Sequence, residues 1–234
     1  MKNPVKSVDA YYVFSGALRL FHWVMVPAIV VLFLTGLYIG NPFFIGTQGI
    51  EATFAVTNIL SMESMRYNHF VTAYLLTSSL ILRVYGWIIN KGDRLLPRFW
   101  TRHFWGSFVD TTLHYLFLRP QHRPYLRNSL ARTAYLAVYI MILLEIITGF
   151  AMYSMIDPNS WAAKVFGPVN FLFVNEYVVH LIHHYTAWLI VLFVIVHLYM
   201  ASRADWMEKG GEISGIISGV KFYEEKPEDL SDIQ

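Results

Sequence analysis

The amino-acid sequence predicts an all-α integral membrane protein: a four-transmembrane-helix bundle with both termini cytoplasmic and interfacial helical segments in its loops. Three observations predict it. Of 234 residues, 56% are hydrophobic and only 15% charged, a balance far from that of a soluble domain. Four apolar stretches, 17–40, 67–89, 130–153 and 178–201, are each long enough for a bilayer core of about 30 Å, which takes roughly 20 residues as helix. The cations are also segregated. Lys91, Arg94, Arg98, Arg102, Arg119, Arg123 and Arg127 crowd the segment between the second and third stretches, and Lys2, Lys6, Arg203, Lys209, Lys221 and Lys226 lie towards the termini. The other two connections hold only Arg66 and Lys164, beside Glu51, Glu63, Asp157 and Glu176. Positive charge stays on the cytoplasmic side, so the termini and the middle connection read as cytoplasmic.

The first stretch, 17–40, is too long for a signal-peptide core and lacks a small-residue cleavage site, so it reads as a retained span. The connection 41–66 is rich in Gly and Phe and faces outward. The second span opens on His69 and carries Arg83. In 97–118, Phe99, Trp100, Phe104, Trp105, Phe108, Tyr115 and Phe117 are interleaved with Arg98, Arg102 and His103, which predicts one or two helical segments lying along the membrane surface. The third span contains Glu145, a carboxylate that is costly in lipid unless paired or hydrated; it reads as serving proton handling or a hydrogen bond, with no partner visible in the sequence. The connection 155–177 is expected to pack over the outer end of the bundle or to meet a partner. Beyond Ala201 the chain turns polar and ends in Glu224, Glu225, Glu228, Asp229 and Asp232, read as a short helix followed by disorder. The organisation is therefore a membrane domain over 1–223 and an acidic tail over 224–234.

Several chemistries are excluded. The chain has no cysteine, so disulfides, Cys-ligated zinc, iron–sulfur clusters and covalent c-type haem are ruled out. The net charge of +2 and the interfacial setting of the cations argue against nucleic acid as a partner. No phosphate-binding loop or Ser/His/Asp set is present.

Histidines remain. His22 and His197 lie near the cytoplasmic ends of the first and fourth spans, and His69 and His183 near the outer ends of the second and fourth. His183 and His197 are fourteen positions apart, which brings them to within about 40° of one helix face and about 21 Å apart. One such histidine is ordinarily an interfacial polar residue. Four at two matched depths suit bis-histidine ligation of two b haems by neutral imidazoles. His184 competes with His183, but thirteen positions turn it about 140° from His197. His180 reads as interfacial, and His103, His114 and His122 as surface residues of the basic loop. Arg83 follows His69 by fourteen and falls at the inner depth, where it could pair a haem propionate or snorkel to the interface. Gly36 follows His22 by fourteen and could admit a flat ring or a close helix. Thr35-Gly36 and Thr148-Gly149 each follow an apolar run in an outward-going helix, hinting at similar environments.

In combination, YVFSGALRLFHW (12–23), Leu34-Thr35-Gly36 with Ile39-Gly40, RYNHF (66–70), Arg83-Val-Tyr-Gly-Trp, Asn128-Ser-Leu-Ala-Arg, ITGFAMYS (147–154) and the run from His183 to His197-Leu-Tyr-Met resemble the b-type cytochrome subunit of membrane-bound nickel–iron hydrogenases. The resemblance runs from about Val8 to Tyr223, and the bundle is also similar to the cytochrome subunit of respiratory formate dehydrogenases. It implies an electron-transfer subunit of the bacterial cytoplasmic membrane that itself performs no H₂ chemistry. The implied partners are a hydrogenase small subunit, with its C-terminal membrane helix, and large subunit on the outer face. By motif, His69 and His183 match the ligands of the outer haem, and His22 and His197 those of the inner haem. Asn128 matches an asparagine placed to hydrogen-bond the acceptor, menaquinone or ubiquinone. Ser129 stands where some relatives carry Pro. The alternatives are a formate dehydrogenase or thiosulfate reductase cytochrome, a stand-alone b561-like quinone reductase, or a haem-free helical carrier.

Overall fold

The computed structural model describes residues 7–40, 61–119 and 124–230. Lys2, Lys6, Glu51, His122, Arg123 and Asp232, and most of the connection 41–66, lie outside the described residues. Four helices are long and apolar enough to cross a membrane: α1 (Gly16–Gly40), α2 (Met62–Ile89), α4 (Ser129–Ile156) and α7 (Glu176–Glu208). They carry the four expected spans; α2 begins five residues before position 67, and α7 runs seven beyond position 201. Side chains such as Leu20, Leu34, Leu82, Leu192 and Leu198 are exposed, as expected where lipid, not water, covers a helix. α1 continues through Pro27, which a membrane helix tolerates when its neighbours satisfy the freed carbonyl.

The chain divides into two compact units, 16–89 and the remainder. In the first, α1 and α2 pack antiparallel, with Thr35 of the former against His69 of the latter. In the second, α4 and α7 pack antiparallel, with Thr148 against His183. α4 starts on an Asn128 cap whose Oδ1 accepts from the Ala131 amide at 2.7 Å, and α7 on Asn175, which accepts from the Val178 amide at 3.0 Å; each supplies an acceptor for an otherwise orphaned donor.

The basic middle connection carries the helix α3 (Arg102–Tyr115), capped by Thr101. Trp105 and Val109 are exposed while Phe104, Ser107, Thr111 and His114 are buried. This is the amphipathic surface segment that the aromatic and cation pattern predicts. His114, expected at the surface, is instead inside: its ring packs edge-on against Tyr115 and its Nδ1 lies 3.3 Å from the Arg119 carbonyl. The connection 155–177 forms α5 (Trp161–Phe166) and α6 (Val169–Leu172). These fold over the end of α4, with Phe150 stacked on Phe166 and Asn170 donating to the Ala151 carbonyl at 2.9 Å.

The C-terminal segment departs from the expectation of a short helix and disorder. After α7 come α8 (Glu212–Ser218) and a strand, β2 (Val220–Tyr223), which pairs antiparallel with β1 (Asp9–Tyr12). Gly219 makes the turn at φ 90°, where an added Cβ would sit 2.7 Å from the Tyr12 ring; only glycine fits there. Beyond it, Glu224–Leu230 runs back across the middle connection. Asp229 is 6% exposed and accepts from the Leu126 and Arg127 amides at 2.6 and 2.8 Å. Residues 231–234 lie outside the described residues.

Arg127 is the hub of this platform. Its guanidinium donates to the carbonyls of Gly92 and Val13 and lies over the Phe14 ring. Lys221 reaches the same ring, the Leu126 carbonyl and Glu212. Burial pushes the Arg127 guanidinium below its ordinary value and the Tyr223 phenol above its own. Tyr223 donates from that buried hydroxyl to the Tyr125 carbonyl at 2.9 Å. The N-terminal, middle and C-terminal segments thus meet at one end of the unit, and so on one side of any membrane that α4 and α7 cross.

Candidate haem site

Two histidines sit in matching cradles. On α1, the Thr35 hydroxyl donates to the Val31 carbonyl at 2.6 Å, and His69 Nδ1 lies 2.9 Å from the same oxygen. On α4, the Thr148 hydroxyl donates to the Leu144 carbonyl at 2.7 Å, and His183 Nδ1 lies 2.9 Å from it. A hydroxyl has one hydrogen. With that hydrogen committed four residues back along its own helix, the oxygen can only accept, so the ring hydrogen is assigned to Nδ1 in both histidines. Nε2 is left with a lone pair in each, the tautomer a metal-ligating imidazole needs.

The glycine after each threonine lies beside the ring. A Cβ at Gly36 would meet His69 Cε1 at 3.4 Å, and one at Gly149 would meet His183 Cε1 at 3.3 Å. The repeated Thr-Gly pair is therefore a device for seating an imidazole, and Gly36 lies against His69 as well as fourteen residues after His22. The donor set fits haem iron: imidazoles oriented through Nδ1, with Nε2 available.

The two cradles differ in charge three residues before the threonine. Three residues before Thr148 stands Glu145, whose Oε2 is 2.9 Å from His183 Nδ1. The carboxylate without a visible partner in the sequence thus has one, and the two side chains are mostly buried, at 21% and 14% exposure. Three residues before Thr35 stands Leu32. What the sequence could have offered is the shared register: Glu145 is one helical turn from the threonine that the Thr-Gly repeat singles out.

The other site residues are placed as follows. His22, half-buried on α1, is edge-on to Trp23 at 5.3 Å. His197, exposed on α7, stacks parallel on Phe193 at 5.8 Å. His184 Nε2 accepts from the Trp188 indole at 3.3 Å, which engages the nitrogen that would ligate; His180 is exposed. Arg83 is only 6% exposed on α2, a buried cation in a span that demands an anion or dipoles around it. Asn128 spends its oxygen on the α4 cap. Ser129 donates its amide to Ser107 Oγ at 3.3 Å, a bond a proline could not make. Beside it a cavity of about 250 Å³ is lined by Arg98, His103, Arg127, Ser129, Arg132 and Asp229, among others. His103 faces Glu228 there at 3.6 Å.

Comparison with known proteins agrees with these features. The model of the prokaryotic cytochrome b561 family matches residues 13–219. A protein of Cupriavidus necator named a probable Ni/Fe-hydrogenase B-type cytochrome subunit is 37% identical, the match covering 94% of this chain and 90% of that one. One of the same name from Rhizobium leguminosarum bv. viciae is 34% identical over 93% and 91% of the two chains. The probable Ni/Fe-hydrogenase 1 B-type cytochrome subunit of Escherichia coli K12 is 30% identical over 95% of each.

Proposed function

This chain belongs to the prokaryotic cytochrome b561 family, multi-pass b-type cytochromes of the bacterial inner membrane, and from that premise we propose that it is the membrane subunit of a nickel–iron hydrogenase, passing its electrons to quinone. The observation that carries the reading is the twin Thr-Gly cradle, which presents His69 and His183 as oriented neutral ligands. The names of the relatives point to a Ni/Fe-hydrogenase as the partner; under this proposal its small and large subunits sit on the outer face, with the small subunit's C-terminal membrane helix against the bundle.

Haem b, when bound, supplies one-electron iron redox chemistry. Under this reading His69 and His183 hold the outer group, and His22 and His197 the inner one. Thr35 and Thr148 fix the two outer imidazoles, while Arg83 offers its buried charge to an inner propionate. The cation-rich segments and both termini are cytoplasmic, so Asn128 opens α4 at the inner side, at the depth of His197. Its amide nitrogen can donate to a carbonyl of menaquinone or ubiquinone while its oxygen caps the helix.

The test is the complex purified from solubilised membranes. Expected are hydrogenase subunits in the preparation, two non-covalent, low-spin b haems per chain by pyridine haemochrome, and their reduction by H₂ and reoxidation by a quinone analogue. A haem-free chain, or reduction by formate but not H₂, refutes the proposal.

A further inference from the structure

Glu145 calls for an explanation that the helix bundle does not supply. A carboxylate within a span is expensive, and a neutral side chain could accept the same hydrogen. The Thr148 hydroxyl already accepts the His183 Nδ1 hydrogen at 2.9 Å, as Thr35 accepts that of His69. Glu145 adds a second, anionic acceptor to one imidazole, also at 2.9 Å. Its other oxygen, Oε1, is buried and makes no hydrogen bond among the described residues, so the observed use of the group is His183. Acceptors on the non-ligating nitrogen raise the basicity of the ligating one, and anionic acceptors do so most.

We infer that Glu145 is a positioning residue that sets the redox poise of the outer iron: by drawing on the Nδ1 hydrogen of His183 it makes Nε2 a stronger donor and favours the oxidised metal. The inference rests on the haem reading above. The step concerned is the gain of one electron by the ferric iron from the hydrogenase partner, with no bond made or broken in the chain. Glu145 makes that electron easier to pass on towards the inner group, so a low-potential site stands where electrons enter.

Redox titration of haem absorbance in the whole complex tests this independently of turnover. In Glu145→Gln, which keeps size and an acceptor but removes the anion, one haem should gain about tenfold in affinity for an electron, about 59 mV upward for a one-electron couple. It should be the haem whose signal His69→Ala removes. Glu145→Asp, with the carboxylate drawn back, should fall between wild type and Gln, and the other haem should not move. No shift in either variant, or a shift confined to the other haem, overturns the inference. If Glu145→Gln does not assemble, Glu145→Asp is read alone by the same criterion. A wild-type complex without two haems instead overturns the cytochrome reading, and is seen before any variant is made.

Discussion

Replacing Thr35 by valine removes one hydroxyl and leaves the shape of the side chain intact. The hydroxyl accepts from His69 Nδ1 at 2.9 Å in a position where Thr35 is only 7% exposed. Its own donation to Val31 is expendable, because that carbonyl belongs to the helix ladder. Removing one acceptor from a half-buried donor costs up to about 1–3 kcal/mol, and outer-shell partners of metal-bound histidines are typically worth about 10–100-fold in affinity. Thr35→Val should therefore weaken retention of the outer haem by about tenfold or more. In the matching variant Thr148→Val, the Glu145 carboxylate still holds the same ring hydrogen at 2.9 Å, so the loss should be several-fold smaller although Thr148 is fully buried. The assay is competition: the solubilised complex is incubated with excess apomyoglobin, and the haem left on the membrane protein is quantified as pyridine haemochrome. Wild-type retention in Thr35→Val, or a larger loss in Thr148→Val, would refute the argument that threonine oxygens orient these rings.

Further outcomes are expected elsewhere. His183→Ala should lose one haem and His184→Ala none, measured as haem per polypeptide, because His184 Nε2 is engaged by Trp188. Asn128→Leu should keep both haems and their reduction by H₂ but slow reoxidation by quinone in stopped-flow, whereas Asn128→Asp and Asn128→Ser restore only the cap; turnover that follows capping ability across the three, or does not change, removes Asn128 from the quinone site. Asp229→Ala leaves two buried amides without their acceptor and should destabilise the complex by about 2–4 kcal/mol, seen as a lower midpoint in thermal unfolding; an unchanged midpoint counts against the tail as a structural strap. A reporter after Arg102 should be active only in its cytosolic form and one near Ala163 only in its exported form, and the opposite pattern would exchange the roles of the two haem sites.

The sequence by itself determined the spans, because bilayer thickness imposes a length on any apolar helix and lipid forbids unsatisfied backbone. It also determined the candidate histidines, since a fourteen-residue helical spacing is a local property, and it singled out Thr35-Gly36 and Thr148-Gly149 as a pair. It marked 97–118 as interfacial from composition alone. Contacts between distant segments were decided only by tertiary structure. That β2 pairs with β1 across more than two hundred residues, that Asp229 straps Leu126 and Arg127, and that His114 turns inward depend on which surfaces meet, and nothing in the local pattern of those segments encodes it. The same holds at the site. Glu145 stood alone in the sequence because its partner is on another helix, thirty-eight positions away. Only the packing of α4 against α7 brings the carboxylate to His183 and makes an expensive charge useful.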